Sequence, residues 1–154
     1  MIDWNPKTCV VFCRPRDKWG ELSNMHKDFP IEAGGLKWQS SEHLYQAAKF
    51  TDEKIQRQIL QTFMPMEAKK VAYQYPHIRL DWEDVKIPIM QWCLELKFDQ
   101  HEEFQRVLAE TGNRKLWFFG HHHRSWKMDL CGCHFRCLNE LEVAECTLKS
   151  ESMD

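Results

Sequence analysis

Residues 29–50, FPIEAGGLKWQSSEHLYQAAKF, constrain the fold more than any other stretch, because the local pattern changes from strand-like to helix-like within them. Gly34-Gly35 stands between two short arms that carry apolar residues. A glycine pair accepts the positive φ that a tight hairpin turn demands, so a β-hairpin is expected over 29–39. Ser40 and Ser41 follow directly. A serine hydroxyl accepts orphan N–H groups of a first helical turn, so a helix is expected from Ser41 onward. On a 3.6-residue repeat, Glu42, Tyr45, Gln46 and Lys49 share one side, opposite Leu44, Ala47, Ala48 and part of His43. Such a polar side is either a solvated surface or the wall of a site. Helix glutamates usually face water, and the spacing permits both readings.

The remaining elements follow from similar signals. Residues 8–14, TCVVFCR, form a short apolar run with β-branched residues, expected as a buried strand. Residues 15–24 form a polar loop. Asp52 is placed to cap a helix whose apolar stripe is Ile55, Ile59, Leu60 and Phe63, and Pro65 suits the first turn of the next. Asp81 is the expected cap of a long helix in which Pro88 calls for a kink or a late start. Gly112 is a suitable stop for the helix that begins near His101. There is no repeat, low-complexity tract or linker, and 154 residues suit one core. The expected fold class is α+β: a mainly helical single domain over 1–154 with a small N-terminal antiparallel sheet.

Composition narrows the partners. Hydrophobic residues make up 43% and charged residues 29%, an ordinary globular balance. A net charge of −2 supplies no general drive toward nucleic acid. No apolar run is long enough to cross a bilayer, and residues 1–10 lack a secretory pattern, so no membrane partner is expected. Seven cysteines, an odd number without a secreted-scaffold spacing, read as reduced thiols of a cytoplasmic protein. Seven Trp and nine Phe supply large core side chains, or the walls of a pocket for a flat ligand.

The C-terminal third contains His121–His123 and then Cys131, Cys133, His134 and Cys137. Cys133 and Cys137 fit one ligand pair, but a second pair lacks regular spacing, so no metal site is expected there. No phosphate loop, dinucleotide fingerprint, G-x-S-x-G or H-E-x-x-H occurs, and no cofactor is expected.

Several short stretches, in order, carry a resemblance. They are Phe12 with WGELSN at 19–24, and the segment 29–54 with its E-H-x-x-Q-x-x-K-F core at Glu42, His43, Gln46, Lys49 and Phe50. MPMEAKKVA at 64–72, RLDWEDVK at 79–86 and residues 94–112 follow. Together they resemble the NADAR family of YbiA-like proteins, most strongly over 12–116, with a diverged tail at 117–154. The resemblance implies an N-glycosidase that cleaves between a base nitrogen and the anomeric carbon of ribose. Its substrates would be riboflavin-pathway ribosylamino-pyrimidine intermediates or an ADP-ribosylated nucleobase. A nucleotide-like small molecule is then the partner, or ADP-ribosylated nucleic acid.

The resemblance also implies catalytic residues: a glutamate in E-H-x-x-Q, a tryptophan in R-x-x-W and an aspartate in a late W-G-D motif. The first two match Glu42 and Trp82. The third motif is not intact. Extension without gaps sets Trp126 on the family tryptophan and Asp129 one residue late, whereas matching residues 118–121 sets His121 at the aspartate position. Asp129 is carried as the second carboxylate. The alternative reading is a catalytically impaired module that binds a nucleotide or ADP-ribose.

These residues suit the chemistry. Breaking a ribosyl C–N bond develops positive charge at C1′, which a carboxylate such as Glu42 stabilises while activating water. The indole of Trp82 can stack on a base and exclude water. Lys49, two turns along from Glu42, is placed to meet a phosphate; Arg14 and Lys18 stand before the ELSN loop for the same purpose. Asn24 is placed to donate to ribose hydroxyls, and Gln46 shares the Glu42 face. Glu42 is expected to be poorly exposed, with Trp82 beside the same cleft.

Overall fold

A computed structural model describes residues 7–12 and 14–118. Strand β1 is Cys9–Phe12, followed by a single 3-10 turn at Gly20–Leu22. Strands β2 (Ile31–Ala33) and β3 (Leu36–Trp38) precede helices α1 (Ser41–Ala47), α2 (Glu53–Leu60) and α3 (Pro65–Tyr73). Helices α4 (Trp82–Gln100) and α5 (Glu102–Glu110) lead to strand β4 (Lys115–Phe118). The described residues group into two compact units, one spanning Asn24–Val107, the other running up to Ser23 and resuming at Leu108. The fold is mixed α and β, and mainly helical as expected.

In the unit spanning Asn24–Val107, β2 and β3 pair antiparallel, with Ile31 opposite Trp38 and Ala33 opposite Leu36. The turn between them has Gly34 at φ 59° and Gly35 at φ 74°. A Cβ at either glycine would meet nothing within 4 Å, so backbone conformation alone demands glycine there. Ile31 and Trp38 face inward with Leu44 and Ala47 of α1, Ile59 of α2, Ala68 and Ala72 of α3, and Cys93 of α4. Helix α1 packs on α2, α3, α4 and β3. A seven-residue helix is too short to be stable alone, so this packing holds it.

The caps follow local chemistry, with one exception. Ser40 Oγ accepts the His43 N–H at 3.4 Å, Asp52 Oδ1 accepts the Lys54 N–H at 2.8 Å, and Pro65 occupies the first turn of α3. Asp81 precedes α4 but caps nothing through its side chain. Its two oxygens instead accept from Arg79, at 2.6 and 2.9 Å. Helix α4 starts at Trp82 and runs through Pro88 without a late start. Lys97 of α4 is fully buried, its Nζ 4.7 Å from the Phe29 ring centroid and 4.3 Å from that of Phe104.

In the other unit, β1 pairs in parallel with β4, Cys9 opposite Lys115 and Phe12 opposite Phe118. The antiparallel sheet of the expectation is therefore the β2–β3 hairpin, and β1 belongs to a second, parallel pair. Val10 and Phe12 are buried while Val11 faces outward. Trp19 takes φ 69°, a left-handed conformation costly for a bulky residue. It is followed by Gly20, where a Cβ would lie 2.0 Å from the Pro15 carbonyl oxygen. No described helix is long and apolar enough to cross a membrane.

Candidate active site

The first turn of α1 is clamped from both sides. The Ser40 hydroxyl lies 2.8 Å from His43 Nδ1 as well as capping the helix. His43 is fully buried, and burial lowers its pKa, opposed by the Thr62 backbone and by Glu67. The imidazole therefore stays neutral and accepts the Ser40 hydroxyl. On the other side the Glu42 N–H donates to the Asn24 carbonyl at 3.2 Å. This pins the glutamate between the loop that ends at Asn24 and the helix.

Glu42 is only 9% exposed, and Gln46, one turn on, only 2%. Gln46 Nε2 donates to Glu42 Oε1 at 2.5 Å. Burial pushes the Glu42 carboxyl above the usual carboxylate range; the Gln46 hydrogen bond, then the charges of Lys69 and Lys49, pull it back. Such a group is a stronger base than a surface glutamate and exchanges its proton closer to neutrality. Cys93 of α4 stands near enough for the carboxylate to raise its pKa. Burial is the larger cause, and the thiol is pushed up to about 12.

Lys49 is not on the helix face that the spacing assigns to it. Helix α1 ends at Ala47, and Lys49 lies beyond the C-cap Ala48, its N–H donating to the Gln46 carbonyl at 3.3 Å. Its carbonyl accepts the Arg79 N–H at 2.8 Å, which ties this corner to the segment entering α4. The Lys49 ammonium lies 5.5 Å from the Tyr73 ring centroid and 5.7 Å from those of Tyr45 and Trp82. The ring faces attract the cation and fix its position. Trp82 is buried and packs on Tyr45 with centroids 5.1 Å apart, so it joins α1 one turn from Glu42. Lys69 Nζ lies 5.6 Å from the exposed Tyr73 ring. Sequence reasoning missed Lys69; its one signal was the four-residue spacing to Tyr73 on α3.

Asn24 is oriented differently from the expectation. Its Nδ2 is engaged with Met90 Sδ at 2.9 Å, and its Oδ1 is buried without a hydrogen bond. It presents an acceptor, not a donor. Ser41 Oγ and Gln46 Oε1 are likewise buried without partners. The fourth such atom, His43 Nε2, has the Thr62 backbone beside it.

Within one compact unit, then, Glu42, Gln46, Asn24, Lys49 and Trp82 gather on and around α1. Arg14 and Lys18 are exposed residues of the other unit. The Arg14 backbone binds Asp17 Oδ2 at 2.9 Å, and Lys18 Nζ sits 5.4 Å from the Trp19 ring. Asp129, Trp126, His121–His123, Cys131, Cys133, His134 and Cys137 lie outside the described residues. Among the described residues no three His, Cys, Asp or Glu side chains gather as metal ligands would.

Comparison with known proteins gives this geometry a context. The chain is 36% identical to the N-glycosidase YbiA of Escherichia coli (strain K12) over 110 residues, 71% of this chain and 68% of that protein. It is 30% identical to a riboflavin biosynthesis protein of Vibrio vulnificus (strain YJ016) over 118 residues, 76% of this chain and 32% of the longer relative. The NMR structure of E. coli YbiA superposes with a TM-score of 0.70 at 28% identity, covering 96% of this chain and 89% of that one. The NADAR domain profile matches residues 11–133, and with these relatives it establishes that the chain belongs to the NADAR family.

Proposed function

We propose that this chain is an N-glycosidase that hydrolyses the bond between ribose and the nitrogen of a base or amino-pyrimidine. The observation that carries the reading is Glu42: a buried carboxyl, held by Gln46, with its pKa raised by burial. Relatives named as N-glycosidases and as riboflavin biosynthesis proteins support it. The substrate class is a ribosylamino-pyrimidine intermediate of the riboflavin pathway or an ADP-ribosylated nucleobase. The protein acts as one NADAR domain over residues 1–154 and works in the cytoplasm with reduced thiols.

In this reaction the C1′–N bond breaks, its electron pair leaves on the base nitrogen, and positive charge spreads over C1′ and the ring oxygen. Glu42 opposes that charge and takes a proton from the water that attacks C1′. The departing nitrogen gains a proton, a task that falls to Asp129 as the second carboxyl, by analogy with paired carboxylates in O-glycosidases. Trp82 and Tyr45 wall the sugar and base and keep bulk water out. Lys49, positioned by three rings, receives a substrate phosphate.

The test is incubation of purified protein with ribosylamino-pyrimidine phosphates, ADP-ribosylated nucleobases and NAD, with products read by mass. Release of free base with a ribose product is expected from one of the first two. Intact ligand recovered from a protein that binds it would refute the enzyme reading in favour of a binding module.

A further inference from the structure

Tyr73, at the end of α3, is 65% exposed, and two ammonium groups lie against its ring. The Lys69 ammonium, 5.6 Å from the ring centroid, comes from one turn earlier on the same helix. The Lys49 ammonium, 5.5 Å away, comes from beyond the C-cap of α1. It also lies 5.7 Å from the ring of Tyr45, one turn from Glu42, so the lysine reaches back along the Glu42 side of α1. Both lysines are half-buried. Like charges repel, and long side chains lose entropy when held. Two ammoniums therefore share a place only where something attracts both, and the face of an aromatic ring does that. A ring that stands in solvent and holds two cations contributes electrostatics more than packing.

We propose that Tyr73 is a positioning residue whose ring holds the Lys49 and Lys69 ammoniums together as one paired charge acting on Glu42. Its part in turnover rests on the N-glycosidase reading; its electrostatic part does not. Lys69 acts on the carboxyl from α3 and Lys49 from the corner after α1, both in favour of the ionised form. Of the charges on the elements packed against α1, these two are the ones that act on it. Helix α4 presents Cys93, a thiol that stays neutral to about pH 12, and α1 itself carries the neutral His43 and the hydrogen-bonding Gln46. With the pair in place, Glu42 keeps its base form at a lower pH than burial alone would allow. Without the ring, both chains follow their hydration and mutual repulsion into solvent, and the carboxyl holds its proton to higher pH.

The test titrates Glu42 directly, by carbon NMR of its side-chain carboxyl in the full chain, so it needs no substrate. Tyr73→Leu is expected to move the titration midpoint to higher pH. The move should be smaller than that of Lys49→Met and Lys69→Met combined, because the cations remain but are no longer held. Tyr73→Phe, which keeps the ring, should titrate as wild type does. In the Lys49→Met/Lys69→Met background, Tyr73→Leu should move nothing, since no cation is left to place. Any loss of stability from Tyr73→Leu is common to both backgrounds and drops out of that comparison. An unmoved midpoint in Tyr73→Leu overturns the proposal. So does an equal shift in Tyr73→Phe, which would assign the effect to the hydroxyl. A shift that survives removal of both lysines would assign it to burial, and overturns the proposal too. Failure of the glycosidase reading is seen separately, as an absence of free base in the mass assay, and leaves the titration as it is.

Discussion

Replacing Glu42 by Gln separates what the carboxyl does for the reaction from what it costs the fold. The amide keeps the size of the side chain and a partner for Gln46, while the charge and the proton acceptor disappear. General acid–base help is worth about 10² to 10⁴ in rate. The structure places the expected loss at the upper end, about 10⁴, or about 5 kcal/mol in barrier. Neither Cys93 nor His43 can take over as base. The Cys93 thiol stays protonated with a pKa of about 12, and His43 is committed to Ser40. Stability should move the other way. The folded carboxyl has a raised pKa, so above it the native state carries an ionised group that the unfolded chain solvates better. That penalty is absent below the unfolded value of 4.5 and complete above the folded one. Glu42→Gln is therefore expected to melt above wild type at pH 8, with the gap closing toward pH 4.5. Single-turnover kinetics and melting curves over that range measure both. Unchanged turnover on a substrate the wild type cleaves would refute the mechanism, and a melting gap that widens in acid would refute the electrostatic argument.

Lys49→Met removes a cation that pulls the Glu42 pKa down, so the acidic limb of the kcat/KM profile should move to higher pH; Lys69→Met should move it further, since its charge acts more strongly. Native Cys93 should resist alkylation at pH 8, and it should contribute a loss of stability as pH rises from 9 toward 12, where the unfolded thiol ionises and the folded one does not. Gly20→Ala puts a methyl group 2.0 Å from a carbonyl oxygen and should cost about 1–3 kcal/mol in urea unfolding, whatever it does to activity.

Local chemistry was the legible part of this chain. Gly34-Gly35, Ser40, Asp52 and Pro65 each act on their immediate neighbours, and each does in the fold what its own residue type dictates. Asp81 failed as a cap because Arg79, two residues away, offers its carboxylate two stronger charge-assisted bonds. Lys49 lies beyond the helix because α1 closes at Ala47 with Ala48 as its C-cap, although the chain stays in the core as far as Phe50, and periodicity does not record where a helix stops. The remaining misses are long-range. Nothing in residues 115–118 announces a partner for β1, and Lys97 reads as a surface lysine until Phe29 and Phe104 close over it. The site shows the same division. Helix spacing brings Glu42 and Gln46 together, but their burial comes from an α1 surrounded by α2, α3, α4 and β3. The orientation of Asn24 depends on Met90, 66 residues away.

The pairing of β1 with β4 has a consequence for how the chain is made. The two strands stand about 100 residues apart in order of synthesis, roughly 5–20 s of translation. The hairpin and α1 to α4, including Glu42 and Trp82, are contiguous in sequence and complete before β4 emerges. Throughout that interval Cys9–Phe12, with its apolar Val10, Val11 and Phe12, has no strand to bind among the described residues. A nascent chain thus carries an unpaired apolar segment at residues 9–12 while the helix that bears Glu42 is already complete. Residues 9–12 are therefore the expected place for chaperone capture during synthesis, about 30 residues before Glu42.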